Sequence, residues 1–198
     1  MKNIINLWNV DFNKKYIIKK LNYAFNNRNI SQGKITKEFE NKLSKVVKLP
    51  YAICTNSGSS ALLLLLITLN LKKNDEIIIP DRTWISDLHA PQILGLKVKL
   101  VDVEKERPII DIKDLKKKIT NKTKAIMVVH LYGLMCDMTE IMKIAKKNKL
   151  FVLEDCAQCF FARDEKNRIA GTIGDVGSWS FENSKHITTG EGGMITTD

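Results

Sequence analysis

The chain has 198 residues, enough for one domain with a sizeable buried core, and its 44% hydrophobic and 27% charged residues are typical of a globular protein. Its longest apolar run, residues 61–69, is too short to cross a bilayer. The net charge of +10 comes from scattered lysines without interleaved aromatic residues, which argues against nucleic-acid binding. We therefore expect neither a nucleic-acid nor a membrane partner.

Helical and strand patterns alternate along the chain. Strands are predicted at 51–55, 76–80, 98–103, 124–130, 150–155, 177–181 and 192–197, and helices at 31–49, 59–70, 85–95 and 137–148. Asp137 and Glu140 have the spacing of a capping box, in which each side chain caps the backbone N–H of the other residue. Continuous apolar strands between helices predict an α/β fold with a mostly parallel central sheet and helices on both faces.

In such sheets ligands bind beyond the carboxyl ends of the strands, so the residues that follow each strand are candidate site residues. The segment 56–63, NSGSSALL, offers backbone N–H groups at a helix start for a phosphate, although serine is also a common helix cap. Trp84 follows the next strand and is either a rim aromatic or a core residue. Asp155 ends a buried strand, where a carboxylate needs a cation or hydrogen-bond donors, or serves as a helix cap or salt-bridge partner.

Two further patterns need interpretation. Lys185 lies between small polar residues and a loop with three glycines, SKHITTGEGG, which is either a solvated turn or a lysine that meets a bound molecule. Cys156 and Cys159 form a C-x-x-C pair, but no second pair provides further zinc ligands, and a thioredoxin-like motif would lie earlier in the fold. We therefore expect no metal site. Four cysteines without a secretory signal predict a cytoplasmic protein.

Together, an anion site, an aromatic residue, a strand-end carboxylate and a lysine match the requirements of pyridoxal 5'-phosphate. This cofactor needs a lysine for its Schiff base and an acidic partner for its ring nitrogen. It also needs an anion site for its phosphate. Lys185 therefore becomes the predicted carrier of the cofactor.

The sequence resembles the DegT/StrS-type sugar aminotransferases, which belong to the fold-type I pyridoxal-phosphate enzymes. The resemblance runs from residue 31 to residue 198 and includes NSGSSAL, IIIPDRTW, EDCAQ, GTIGDVGSWSF and SKHITTGEGG. It implies catalytic roles for Lys185, as the Schiff-base lysine, and for Asp155, as the partner of the ring nitrogen. It further implies a set of cofactor contacts: Trp84 stacking on the ring, Gln158 donating to the ring hydroxyl oxygen, and Ser59, Ser60 and Ser180 holding the phosphate. His130 matches a frequent family histidine and is interpreted as structural.

Members of that family are substantially longer and carry a smaller C-terminal domain, and their active sites lie at a homodimer interface. The resemblance therefore implies an N-terminal arm or helix at 1–30 and an incomplete cofactor-binding large domain at 31–198. A gene fragment, one part of a split enzyme and a shortened chain all fit this length.

The resemblance implies transfer of an amino group, with glutamate as the expected donor, to a nucleotide-linked keto-sugar for surface polysaccharide or lipopolysaccharide synthesis. One alternative is sugar dehydration by the same cofactor. In the dehydratase relatives a histidine replaces the Schiff-base lysine, so Lys185 favours amino transfer. The other alternative is an inactive fragment of such an enzyme.

Overall fold

The computed structural model describes residues 12–198. In chain order its elements are α1 (Lys14–Asn26), α2 (Lys34–Val47), β1 (Tyr51–Thr55), α3 (Gly58–Thr68), β2 (Glu76–Pro80), α4 (Ser86–Ile93), β3 (Lys97–Val101), α5 (Ile112–Lys118), β4 (Thr123–Val129), α6 (Met138–Asn148), β5 (Phe151–Asp155), β6 (Val176–Ser180) and β7 (Gly193–Thr197). All seven predicted strands are present, with ends within two residues of the predicted ones. Helix α5 had no counterpart among the predicted elements.

The strands form one sheet in the order β1-β7-β6-β5-β4-β2-β3. Strand β7 is antiparallel to both of its neighbours, β1 and β6, and the other described pairings are parallel. The predicted α/β fold with a mostly parallel sheet is confirmed. Because β1, β2, β5 and β6 run in the same direction, the residues that follow them lie at one edge of the sheet.

Alternate residues of the central strands face two separate apolar layers, as the two-residue period of a strand requires. Ile77 and Ile79 pack with α3 and α4 on one face. Ile78, between them, packs with α5 and α6 on the other face. A third apolar cluster, with Trp179 and Phe181 at its centre, lies against α2. The sheet therefore holds the site residues on a frame buried on both sides.

The capping box at the start of α6 is only half formed. The Asp137 carboxylate accepts a hydrogen bond of 3.0 Å from the Glu140 N–H, as predicted. The Glu140 carboxylate does not accept a hydrogen bond from the Asp137 N–H and instead accepts one from the Lys116 ammonium at 2.7 Å. The prediction of a reciprocal pair was wrong because a neighbouring cation on α5 offers a charged partner to the same carboxylate.

The predicted N-terminal segment 1–30 contains α1, and its first eleven residues lie outside the described part of the chain. The division into an arm and a large domain stays a prediction. None of the helices between residues 12 and 198 combines the length and the apolar content that a bilayer crossing requires.

Candidate active site

A cavity of about 620 Å³ lies at the edge of the sheet where β1, β2, β5 and β6 end. Six of the seven predicted site residues line it: Ser59, Trp84, Asp155, Gln158, Ser180 and Lys185. They come from four separate chain segments, and the parallel strands bring them together. The seventh, Ser60, does not line the cavity, and its hydroxyl accepts a hydrogen bond from the Ser57 hydroxyl at 3.0 Å.

The start of α3 forms one end of the cavity. The Ser57 side chain caps this helix by accepting from the Ser60 N–H at 3.1 Å. The N–H groups of Gly58 and Ser59 precede the regular hydrogen bonds of the helix and remain available as donors. The Ser59 hydroxyl lies 2.7 Å from that of Ser86, at the start of α4. Two helix starts thus meet at a point where their dipoles favour an anion.

The Lys185 loop folds back onto this same helix start. A Cβ atom at Gly193 would lie 2.3 Å from the Ser57 carbonyl oxygen, so only glycine allows the close approach. Gly190 has a φ angle of +87°, which glycine adopts without steric cost. The Lys185 N–H donates to the Glu182 carbonyl at 2.9 Å, which fixes the backbone of the turn. The glycines therefore set the position of Lys185 in the cavity wall.

Asp155 is buried at the end of β5 and forms the floor of the cavity. Its Oδ1 atom accepts from the Ala157 N–H at 2.8 Å and lies 3.5 Å from the Ser178 hydroxyl. Burial raises the pKa of Asp155 above its usual value, although the Ala157 N–H and the positive charge of Lys185 act in the opposite direction. The structure thus couples this carboxyl electrostatically to the lysine of the same cavity.

Trp84 and Gln158 present free groups to the cavity. The Trp84 side chain is 68% exposed, which argues against a core role. The Gln158 side-chain oxygen accepts from the Tyr132 N–H at 3.1 Å, so its amide NH₂ group is oriented and remains available as a donor. Both arrangements suit contact with a ligand.

A cluster of His130, Glu154 and Cys156 lies behind the cavity, with potential metal-binding atoms within 4.8 Å of one another. Hydrogen bonds already engage both nitrogens of His130: Nε2 lies 2.9 Å from Glu154, and the Cys136 N–H donates to Nδ1 at 3.2 Å. Burial raises the pKa of the Cys156 thiol well above its usual range, which keeps the thiol protonated. These contacts support the structural interpretation of His130.

The C-x-x-C pair is also buried, and all four cysteines are free thiols. Burial raises the pKa of Cys159 to about 12. A thiol that stays protonated at neutral pH is a poor nucleophile and metal ligand. Packing in the third apolar cluster is the role that their surroundings support.

Sequence reasoning missed several residues of the cavity wall, including Ser86, Asp87 and Ser178. Asp87 matters most among them because it is a completely buried acid. Acids in the first turn of a helix are usually exposed and stabilise the helix dipole. The sequence contains no signal that this one faces inward.

Residues 12–198 match the DegT/DnrJ/EryC1/StrS aminotransferase family. The chain belongs to this family. It is 43% identical to a GDP-perosamine synthase of Escherichia coli O157:H7 over 168 residues, which are 85% of this chain and 46% of the relative. It is 37% identical to a GDP-4-keto-6-deoxy-D-mannose 3-dehydratase of Escherichia coli O55:H7 over 186 residues, covering 91% of this chain and 48% of that one.

A solved GDP-4-keto-6-deoxymannose-3-dehydratase with a trapped PLP-glutamate geminal diamine has a TM-score of 0.92 at 34% identity, covering 98% of this chain and 52% of that chain. The chain spans about half the length of the curated relatives it matches. The family contains aminotransferases and dehydratases, and its members bind pyridoxal phosphate.

Proposed function

We propose that this chain provides the cofactor site of a pyridoxal-phosphate-dependent aminotransferase that moves an amino group from glutamate to a nucleotide-linked keto-sugar. The products would enter surface polysaccharide or lipopolysaccharide synthesis. The observation that carries the proposal is that Lys185, Asp155 and Trp84 line one cavity with the start of α3. Similarity to the GDP-perosamine synthase supports a GDP-linked deoxysugar as the substrate class.

The residues of the cavity fit the phosphate end of the cofactor. Ser59 and Ser180 would hold the phosphate together with the N–H groups at the start of α3. A Cβ atom at Gly58 would lie 2.8 Å from the Ser180 Cβ, so the glycine lets the helix start and the end of β6 converge. This convergence concentrates donors at one point, as a dianionic group requires.

The other residues fit the ring. Asp155 would hold the proton on the ring nitrogen, Trp84 would cover one face, and the oriented amide of Gln158 would donate to the ring hydroxyl oxygen. Lys185 would carry the cofactor covalently. When bound, the cofactor supplies an electron-accepting ring that stabilises negative charge at the substrate carbon.

The chain's own residues would then move protons. The amine of Lys185, once the substrate amine has replaced it, is free to take a proton from the substrate carbon and to return it at the end of the transfer. The negative charge of Asp155 favours the protonated ring nitrogen, which strengthens electron withdrawal throughout. The Ala157 N–H holds the Asp155 carboxylate in this position.

Sugar dehydration is the competing reaction, and the similarity to a 3-dehydratase supports it. The two reactions differ in product, since amino transfer adds nitrogen to the sugar and dehydration removes a hydroxyl group. Lys185 favours amino transfer, because a lysine can both carry the cofactor and act as the base.

The first test is cofactor attachment. Incubation with pyridoxal phosphate followed by borohydride should label Lys185, as identified by peptide mass spectrometry. Lys185→Ala should abolish the label, and Lys166→Ala, which changes an exposed lysine outside the cavity, should not. Labelling of Lys185→Ala at the same level would contradict the proposal.

The second test identifies the reaction. The cofactor-loaded protein is incubated with glutamate and GDP-4-keto-6-deoxymannose, and the sugar product is analysed by mass spectrometry. A product containing nitrogen supports amino transfer, and a product that has lost a hydroxyl group supports dehydration. Labelled protein that yields neither product would support the inactive alternative.

We also propose that the protein acts as a homodimer in the cytoplasm. Exposed apolar side chains, Ile85, Tyr132 and Leu134, adjoin residues of the cavity wall, and a second subunit would cover them. The four free thiols suit a reducing compartment. Sedimentation equilibrium at micromolar concentration should give twice the mass of the chain, and a monomer at that concentration would contradict the dimer.

A further inference from the structure

Asp87 is a second buried carboxyl in the wall of the same cavity. It lies in the first turn of α4 and is 0% exposed. Its Oδ2 atom accepts a hydrogen bond from the Thr83 hydroxyl. Within residues 12–198, its Oδ1 atom is the one buried side-chain oxygen without a hydrogen-bond partner. An ionised carboxylate with one free oxygen is costly in such a place, so the group needs a proton or a ligand.

The group that most strongly influences Asp87 is Asp155. Burial raises the pKa of Asp87 well above its usual value, and the nearby Asp155 raises it further. Two carboxyls in a shared buried site cannot both ionise readily. The group that decides which one stays charged is Lys185, from the β6–β7 loop, since its positive charge favours the ionised form of Asp155. His130, from the end of β4, accepts from the Cys136 N–H at Nδ1, so its ring is neutral.

The two acids therefore differ in their surroundings. Asp155 has a backbone N–H donor and the positive field of Lys185. Asp87 has only a neutral hydroxyl, that of Thr83. In a pair with one proton, the proton resides on the acid with fewer stabilising donors, which is Asp87.

We propose that Asp87 is a positioning residue that stays protonated at neutral pH and, as a neutral acid, donates a hydrogen bond that holds the Asp155 carboxylate for the ring nitrogen of the cofactor. The inference rests on the proposed function for its cofactor part. The other part of the proposal, that the two acids share a single proton, does not depend on a cofactor and can be tested on the chain alone.

The proton is tested without cofactor. The 198-residue chain is labelled with [4-¹³C]aspartate, and the carboxyl carbons are titrated by NMR between pH 3 and pH 9. The Asp87 and Asp155 signals are assigned by their loss in Asp87→Asn and Asp155→Asn. The Asp87 signal should remain at the position of a protonated acid at pH 7. Two signals that titrate independently in the usual range of aspartate would overturn the proposal.

The hydrogen bond is tested by two substitutions whose side chains have the same branching and the same number of heavy atoms. Asp87→Asn keeps a neutral donor, whereas Asp87→Leu removes it. The titration midpoint of Asp155 should rise in Asp87→Leu and rise less in Asp87→Asn. Equal Asp155 midpoints in the two variants would show that Asp87 only fills space, and would overturn the positioning role. Asp81→Asn, which changes an exposed acid near the end of β2, is the matched control and should leave the midpoint unchanged.

The cofactor part has its own measurement. Pyridoxal phosphate labelled with ¹⁵N in the ring is added to each variant, and the ring nitrogen shift reports its protonation. Asp87→Asn should retain the protonated shift and bind within about threefold of the parent chain, whereas Asp87→Leu should move the shift toward the unprotonated form and weaken binding at least tenfold. An unchanged shift in Asp87→Leu would overturn the proposal.

Failure of the parent chain to bind pyridoxal phosphate would contradict the proposed function instead. The titrations would still decide the protonation of Asp87 and its hydrogen bond to Asp155. If Asp87→Leu does not fold, the proposal is decided by the protonation state of Asp87 in the parent chain and by the titration midpoint of Asp155 in Asp87→Asn.

Discussion

Two neighbouring acids of β5 have opposite environments. Glu154 faces the His130 cluster, where His130 and the N–H groups of Gly171, Ile173 and Gly174 all bond to its carboxylate at 2.6–2.9 Å. Burial would raise the pKa of Glu154, but these donors lower it below its usual value.

Asp155, one residue later, faces the cavity with few donors and a raised pKa. A strand reverses the side-chain direction at each residue, so one position separates a carboxylate that stabilises the fold from one that remains available for a ligand. Complete hydrogen bonding marks a structural acid, and incomplete hydrogen bonding marks a candidate functional acid.

The largest effect is expected from Asp155→Asn on the reaction. The substitution keeps the shape of the side chain but loses the charge that holds the ring nitrogen protonated. The single-turnover rate of the cofactor-loaded protein with glutamate should fall by a factor on the order of 1,000, about 4 kcal/mol, while the cofactor remains bound. Stopped-flow absorbance measures the rate, and a nearly normal rate would leave Asp155 as a structural cap.

The next effect is expected from Glu154→Gln on stability. Removing the charge leaves buried donors without a full acceptor, so the free energy of unfolding should fall by about 3 kcal/mol. Urea denaturation followed by circular dichroism measures it. Asp155→Asn is the control and should change the same quantity by less than about 1 kcal/mol, because few donors depend on that carboxylate. Equal losses in the two variants would remove the distinction between the acids.

The two regions should also respond to pH in opposite directions. The raised pKa of Asp87 means that its stabilising contribution is full below the ordinary aspartate pKa and is lost as the pH rises through the folded-state pKa. The lowered pKa of Glu154 means that its contribution is full above the ordinary glutamate pKa and is lost as the pH falls through the folded-state pKa. Each unit of pKa shift corresponds to about 1.4 kcal/mol.

The measurement is urea denaturation at intervals from pH 3 to pH 9. Asp87→Asn should gain stability relative to the parent chain as the pH rises above about 4, and Glu154→Gln should lose less than the parent as the pH falls below that value. If Asp87→Asn and the parent give parallel curves over the whole range, the pKa of Asp87 is the same in the folded and the unfolded chain, which contradicts the prediction.

The smallest effect is expected from Thr83→Val. The valine lacks the hydroxyl that donates to Asp87, so the free energy of unfolding at pH 7 should fall by about 1 kcal/mol. Because the Thr83 hydroxyl lowers the pKa of Asp87, its loss should also move the Asp87 titration to higher pH. Thr83→Ser restores the donor and should behave like the parent chain. A serine variant as damaging as the valine would place the effect in packing instead.

The sequence predicted the strands, the parallel sheet and the cluster of Lys185, Asp155, Trp84, Gln158 and Ser180 at the strand ends. The strands and the strand-end positions of Asp155 and Trp84 could be predicted because strands have a simple apolar pattern and because parallel strands bring their carboxyl ends together. Gln158 and Ser180 were predicted only from the family resemblance. The burial of Asp87 and the ion pair of Glu140 with Lys116 could not be predicted in this way. Burial of a first-turn acid and the approach of Lys116 depend on tertiary packing, which no local pattern records.

Strand β1 lies at an edge of the sheet, and β7 is its hydrogen-bonded neighbour there, with Tyr51 opposite Thr197. A pairing between segments so far apart in the chain carries a large loop-closure cost and forms slowly. During synthesis, β1 therefore cannot join the sheet until residues 193–197 have been made. The start of α3, which follows β1 and is contacted by Gly193, should consequently be ordered late, after the central strands have formed. The proposed cofactor site should then be completed only after the central sheet has formed.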